Sequence, residues 1–200
     1  MSDKAKSPKQ KEAVKTWELL RYPLLLYSLV GIVYVYKLKG LDFFSWHPWA
    51  MFFSFVTLAG NATLLKKIGG LENTRMHGYL MCGATILAYA GYWVIHSIKD
   101  KYNKPHWQSL HAQCGVGALV GYTALAIFGG VALHPDWGVF KGNQLMRAAH
   151  KWAGRLVTAL AWGTCVLGLR SGNMYNDVPE YVQGLFMLPL LLFGFYVLLD

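Results

Sequence analysis

Six long apolar stretches constrain the fold of this 200-residue chain more than any other feature. The hydrocarbon core of a bilayer is about 30 Å thick, and roughly 20 apolar residues of helix are needed to cross it. The stretches cover residues 19–36, 47–65, 77–98, 110–133, 149–169 and 182–199. With 54% hydrophobic and 14% charged residues, the composition excludes an ordinary soluble domain. We therefore expect an all-α membrane protein with six transmembrane helices.

The positive charges indicate orientation in the membrane and not a nucleic acid partner. The net charge is +9, and the 19 lysines and arginines lie mainly between the apolar stretches, with more of them on the side of the N-terminus. Cytoplasmic connections of membrane proteins carry such an excess. We expect a polar cytosolic tail at residues 1–18 and both termini in the cytosol, or in the matrix of an organelle. No targeting signal indicates which membrane holds the protein.

Four histidines, His47, His77, His111 and His150, each lie at the entrance of an apolar stretch. A single such histidine is as readily explained by a structural hydrogen bond to a neighbouring helix. Successive helices, however, cross the membrane in opposite directions, so histidines at the start of alternate helices lie at the same face. This places His47 with His111 at the outer face and His77 with His150 at the inner face. Two imidazoles facing each other across a bundle are what axial ligation of haem iron requires.

Other uses of four histidines fit less well. One tetrahedral metal site is excluded because most of a helix length separates the two pairs. Proton and cation carriers usually place carboxylates inside the membrane, whereas all ten Asp and Glu residues lie at helix ends or in connections. If protein ligands fill both axial positions of a haem, electron transfer is favoured over oxygen chemistry.

Two glycines support a flat cofactor beside the histidines. Gly115 and Gly154 follow His111 and His150 by four positions and therefore lie on the same helix faces. A macrocycle needs such a face to be clear. Tight packing of membrane helices is the other common use of glycine, and it applies equally to the remaining glycines of these stretches.

The histidines and their neighbours resemble the cytochrome b561 family. The resemblance rests on FSWHP at 44–48, RMH at 75–77, SLH at 109–111 with Gly115, and His150 with Gly154. It is greatest for the small six-helix type and implies a b561 domain over residues 19–200. It further implies two b-type haems in the central four helices. The implied activity is electron transfer from cytosolic ascorbate to monodehydroascorbate or ferric iron on the opposite side.

The resemblance also implies substrate residues at the inner face. Arg75 matches a basic position similar to the ascorbate site of the family, and Arg147, Lys151 and Lys67 are expected nearby. Arginine bonds two oxygens of an anion at once, which suits ascorbate. The same charges are also those that the positive-inside rule alone would place there.

At the outer face, the sequence Lys104-Pro105-His106 resembles the K-x-H element of the family. His96 and His106 are candidates for binding an outer substrate or ferric ion, or they are simply histidines at the water interface. The SLH at 109–111 is followed by Ala112 and Gln113, where the ascorbate-specific branch of the family has other residues, so the acceptor stays open.

Three functions are compatible with these features. The first is a transmembrane ascorbate-dependent reductase, for which the resemblance also implies a homodimer. The second is a di-haem subunit of a larger redox complex that receives electrons from quinol or a protein partner. The third is a structural membrane subunit with no catalytic role.

Overall fold

The computed structural model describes residues 8–171 and 179–198. Residues 1–7 of the expected polar tail and the end of the sixth apolar stretch at 199 lie outside the described residues. The helices are α1 Pro8–Lys39, α2 Trp46–Met51, a π-helical segment Phe52–Leu58, α3 Ala59–Ile68, α4 Leu71–Lys101, α5 Leu110–Val131, α6 Gln144–Leu169 and α7 Glu180–Leu198. A 3-10 turn at Phe43–Ser45 precedes α2.

The architecture confirms the expected helical membrane protein. In the described ranges, five helical spans are long and apolar enough to cross a bilayer: α1, the continuous span from the 3-10 turn to the end of α3, α4, α5 and α6. The sixth apolar stretch forms the helix α7, which is apolar but is not one of these five spans. The described residues contain no strand. Large apolar side chains on the outside of these helices, such as Ile86, Ile127 and Leu156, are more than half exposed, as expected for a surface that contacts lipid.

Three helices begin five or more residues earlier than the apolar stretches indicated, among them α6, which begins at Gln144 and not near residue 149. The first begins at Pro8 and not near residue 19, and α4 begins at Leu71 and not near residue 77. Hydropathy locates the part of a helix that lies in hydrocarbon, but polar residues continue the same helix beyond the membrane boundary.

Local sequence explains where the helices begin and end. The Ser109 hydroxyl accepts a hydrogen bond from the Ala112 amide at the start of α5. The side chain of Asn143 caps α6 in the same way by accepting from the Met146 amide. Gly69 and Gly70 both have positive φ, which only glycine adopts easily, and they separate α3 from α4.

The centre of the fold is a bundle of the second span, α4, α5 and α6. The helix α4 packs against α2, α3 and α5, and α5 packs against α6. At one contact, a Cβ added to Gly121 would lie 2.7 Å from Val157, so glycine allows α5 and α6 to approach closely. The helix α1 covers the second span from outside, and α7 packs on α6.

The π-helical segment was not predicted from the sequence. Within it, side chains from other helices donate to two main-chain carbonyls: the Ser28 hydroxyl to Phe52 at 3.2 Å, and the Trp162 indole N–H to Phe55 at 2.8 Å. In a membrane, a carbonyl without a partner is costly. These bonds therefore fasten α1 and α6 to the point where the helical turn widens.

Candidate functional site

The first histidine pair lies at the end of the bundle where α2 and α5 begin, which we call the His47 end. The rings of His47 and His111 face each other with their centroids 6.1 Å apart and their planes at 89°. Each ring is held by the neighbouring helix, because Nδ1 of His47 donates to the Gly91 carbonyl and Nδ1 of His111 donates to the Thr164 carbonyl, both at 2.9 Å. A carbonyl only accepts, so Nδ1 carries the hydrogen and Nε2 keeps a free lone pair.

The second pair lies at the opposite end, which we call the His77 end. The ring centroids of His77 and His150 are 6.5 Å apart with an interplanar angle of 83°. Nδ1 of His77 donates to the Ala62 carbonyl at 2.9 Å. Nδ1 of His150 is buried and has no hydrogen-bond partner within residues 8–171 and 179–198. A buried polar atom without a partner is unusual in a folded protein and requires an explanation.

Both pairs fit axial ligation of one metal ion between two imidazoles. Two nitrogen–metal bonds of about 2 Å on opposite sides of an ion place the ring centres roughly 6 Å apart. The centroid distances of 6.1 and 6.5 Å agree with this spacing. Three of the four Nδ1 atoms donate to backbone carbonyls. A histidine that binds a metal through Nε2 usually donates its other ring N–H in this way, which fixes the tautomer and the orientation of the ring.

A cavity of about 340 Å³ opens beside the first pair. This volume is in the range of small-molecule and cofactor sites. Its lining includes His47 and His111, and also Gly115, the glycine that the sequence placed on the His111 face. A Cβ on Gly154, the corresponding glycine of α6, would meet no described atom within 4 Å, so this face is also clear.

Two glycines that the sequence analysis did not single out contact the histidine rings directly. A Cβ on Gly168 would lie 2.9 Å from Cε1 of His111, and a Cβ on Gly129 would lie 3.0 Å from Cε1 of His150. Each glycine belongs to the helix opposite its histidine. Same-helix spacing detects Gly115 and Gly154 but carries no signal for partners on another helix.

Buried aromatic side chains lie between the two ends of the bundle. Phe55 and Tyr122 stack with centroids 5.2 Å apart, and Trp162 donates to the carbonyl of Phe55. In contrast, Tyr89 and Trp93, which belong to the same helical bundle, are exposed. Only part of the aromatic content of these helices therefore faces the interior.

The cations predicted at the His77 end do not form one open patch. Nε and Nη2 of Arg75 donate to the two oxygens of Asp136 at 3.0 and 2.7 Å, and Nη1 donates to Glu72. These hydrogen bonds from Arg75 hold the pKa of the Asp136 carboxyl below its usual range. No sequence pattern indicated Asp136 as the partner of Arg75, since it lies 61 positions later in the chain.

The other predicted cations differ in exposure and contacts. Nη1 of Arg147 donates to the Lys141 carbonyl at 3.0 Å, and Nζ of Lys67 lies 5.9 Å from the centre of the Trp17 ring. Lys151 is exposed. One helical turn after Lys151, the buried Nη2 of Arg155 lacks a hydrogen-bond partner in the described part of the chain.

The structure brings His96 and His106 together at the His47 end. Their rings stack with centroids 4.2 Å apart, and both hydrogen-bond to the carboxylate of Asp100. His96, His106 and Lys99 line the cavity, whereas Lys104, the lysine that the sequence analysis named, does not. The spacing of four residues between His96 and Asp100 was the available signal for a shared helix face.

Comparison with known proteins adds a family match. The family model described as eukaryotic cytochrome b561 matches residues 46–175, which include all four paired histidines.

Three curated relatives have related sequences. The human "Transmembrane ascorbate-dependent reductase CYB561" is 27% identical over 142 residues, which cover 69% of this chain and 57% of the relative. The "Lysosomal membrane ascorbate-dependent ferrireductase CYB561A3" of Danio rerio is 21% identical, with 70% and 59% covered. The "Plasma membrane ascorbate-dependent reductase CYBRD1" of Mus musculus is 24% identical, with 66% and 47% covered. The match thus spans about half to three fifths of the relatives' lengths.

Proposed function

Since the chain belongs to the cytochrome b561 family, we propose that it transfers electrons across a membrane from ascorbate to an acceptor on the opposite side. The observation that carries this proposal is the presence of two facing histidine pairs at opposite ends of one membrane bundle. The names of the three relatives, all ascorbate-dependent reductases, support ascorbate as the donor.

We assign one b-type haem to each pair, with His47 and His111 at one end and His77 and His150 at the other. Two such haems would supply one-electron carriers near both membrane faces. The backbone carbonyls of Gly91, Thr164 and Ala62 orient three of the imidazoles. For His150, the unpartnered Nδ1 leaves orientation to packing, with Gly129 and the Phe128 ring beside it.

The haem faces are proposed to lie against small residues. Gly115 lines the cavity at the His47 end, and Gly154 is open at the His77 end. Gly168 and Gly129 leave room for the positions that the rings of His111 and His150 adopt, because a Cβ at either glycine would lie as close as about 3 Å to the ring. Buried apolar side chains such as Phe55 and Leu119 exclude water from the middle of the bundle, between the two pairs.

The donor site is proposed at the His77 end, on the cytosolic side by the distribution of positive charge. Arg75, Arg147 and Lys151 are its candidate residues, and Lys67 is a further one. Because Asp136 already occupies the donors of Arg75, ascorbate has to displace this carboxylate to bind there. The exposed Lys151 offers a cation that needs no such exchange.

The acceptor is proposed to react at the His47 end, beside the cavity that His96 and His106 line. Its identity is either monodehydroascorbate or ferric iron. The name of the Danio rerio relative, a ferrireductase, supports ferric iron. Lys104 is exposed at this end and is available to attract an anionic acceptor or chelate.

A reduced-minus-oxidised absorption spectrum tests the proposal. The purified protein is expected to contain two b-type haems per chain, and ascorbate is expected to reduce a large part of what dithionite reduces. Replacing His47 or His111 with alanine should remove one haem, and replacing His77 or His150 should remove the other. Haems that respond only to dithionite would instead indicate a subunit of a larger complex with another donor, and a protein without haem would contradict both functions.

A further inference from the structure

The cluster of His96, Asp100 and His106 has the donor set of a metal site that is separate from the histidine pairs. Nδ1 of His96 lies 3.0 Å from one carboxylate oxygen of Asp100, and Nε2 of His106 lies 2.8 Å from the other. One ligand atom from each residue lies within 4.8 Å of the other two. Ligands bonded to one ion at 2.0–2.1 Å are at most about 4 Å apart, so rotations of the side chains suffice to close the site.

The connection between α4 and α5 holds the cluster in place. Nζ of Lys99 donates to the Pro105 carbonyl at 3.1 Å, and the indole N–H of Trp107 donates to the Tyr92 hydroxyl at 3.2 Å. Trp107 has a φ of 57°, a left-handed conformation that a bulky residue rarely adopts. The connection therefore accepts an unfavourable backbone conformation directly after His106, and the ring of His106 is turned back over α4.

The chemistry of the cluster selects one class of ion. Two imidazoles and one carboxylate suit zinc and similar first-row divalent metals, whereas calcium and magnesium require oxygen ligands. Three lysines of the same segment, Lys99, Lys101 and Lys104, repel cations that bind by charge alone. An ion that gains its binding energy from nitrogen ligands is affected less. Three protein ligands also leave one position of a zinc ion for water.

The cluster is placed where a bound ion would affect the acceptor side. His96 and His106 are partly exposed and line the same cavity as His47 and His111. His96 and Asp100 belong to α4, and His106 belongs to the connection that leads to α5. An ion bound by all three would tie this connection to α4 across the edge of the cavity.

We propose that His96, Asp100 and His106 form a site for a zinc-class divalent ion that fastens the α4–α5 connection and restricts access to the cavity at the His47 end. The binding of the ion is independent of electron transfer, while its effect on the acceptor rests on the proposed function. The ion is a resident or regulatory ligand in this proposal and is not itself reduced.

Binding is tested on the haem-loaded full chain in lipid nanodiscs by equilibrium dialysis with radioactive zinc. We expect one tightly bound zinc ion per chain that excess Mg²⁺ does not displace. His106→Gln and Asp100→Asn should each weaken binding at least about 10-fold. The matched control is His134→Gln, which changes a histidine next to Asp136 at the other end of the bundle and should leave zinc binding unchanged. Absence of stoichiometric binding, or binding that survives both cluster variants, would overturn the site.

The effect on access is tested by prereducing the protein and following its oxidation by a ferricenium salt, an acceptor that does not bind zinc, with and without zinc. Zinc should slow oxidation of the parent protein severalfold and have no effect on His106→Gln. If zinc binds and the rate does not change, the restriction of access is refuted. If ascorbate fails to reduce the protein, the proposed function is wrong, but the dialysis result still decides whether the site exists.

Discussion

Replacing Gly168 with alanine should disturb the His47 end of the bundle while sparing the His77 end. The added Cβ would lie 2.9 Å from Cε1 and 3.3 Å from Nδ1 of His111. Carbon atoms in ordinary contact are about 3.5–4.0 Å apart, so the ring has to retreat by roughly 0.6–1 Å. The ring has little freedom to do so, because its Nδ1 donates to the Thr164 carbonyl at 2.9 Å.

The magnitude follows from the cost of overpacking. Forcing an extra methyl group into a packed interior costs about 1–3 kcal/mol. If this cost falls on the ligand position of His111, the affinity for haem at that pair drops about 5- to 150-fold. The measurement is the haem content per chain together with a redox titration. We expect partial loss, or an altered potential, of one haem and an unchanged second haem.

A matched control is available on the same helix. Gly163 also lies on α6 but is exposed, and a Cβ there meets no described atom within 4 Å. Gly163→Ala should therefore keep both haems with unaltered potentials. Gly129→Ala, whose Cβ would lie 3.0 Å from Cε1 of His150, should affect the other haem. The reasoning is refuted if Gly168→Ala binds two haems with the same potentials as the Gly163→Ala control.

Three further tests, two substitutions and a pH series, address the packing and the donor site. Trp162→Phe keeps an aromatic ring but removes the donor to the buried Phe55 carbonyl, and we expect about 1–3 kcal/mol lower stability, measured as a lower thermal midpoint in detergent; an unchanged midpoint would contradict the role of this bond. Asp136→Asn releases the guanidinium of Arg75, so the KM for ascorbate should fall severalfold, and an unchanged KM would argue against Arg75 as a substrate residue. The Arg75 hydrogen bonds lower the pKa of Asp136, so the ion pair persists at neutral pH and breaks only as the pH falls below the usual carboxyl range. The KM of the parent protein for ascorbate should therefore show no step from this pair between about pH 5 and 8. A step in this range that Asp136→Asn removes would contradict the assignment.

Apolar length and histidine position predicted the general architecture. The six stretches identified the helices of the bundle because hydrocarbon imposes both length and composition on a span. The alternation of His47, His77, His111 and His150 along the chain predicted which rings would face each other, and the structure brings together these same pairs. Their role as haem ligands stays a prediction.

Contacts between distant segments could not be predicted from the sequence. The pairing of Arg75 with Asp136 depends on how the connection after α5 folds back, and no local pattern encodes it. The π-helical segment Phe52–Leu58 likewise depends on donors from α1 and α6. Positions such as Gly168 acquire their importance from the opposing helix, so only the assembled bundle identifies them.

Electron transfer across a sealed membrane tests the central claim most directly. The protein is reconstituted into liposomes that contain ascorbate, and the reduction of external ferricyanide is followed over time. We predict transfer well above that of protein-free liposomes, and its loss in both His77→Ala and His111→Ala, because one substitution interrupts each end of the path. Transfer that persists in either variant, or its absence in a parent protein that contains two haems, would contradict the account.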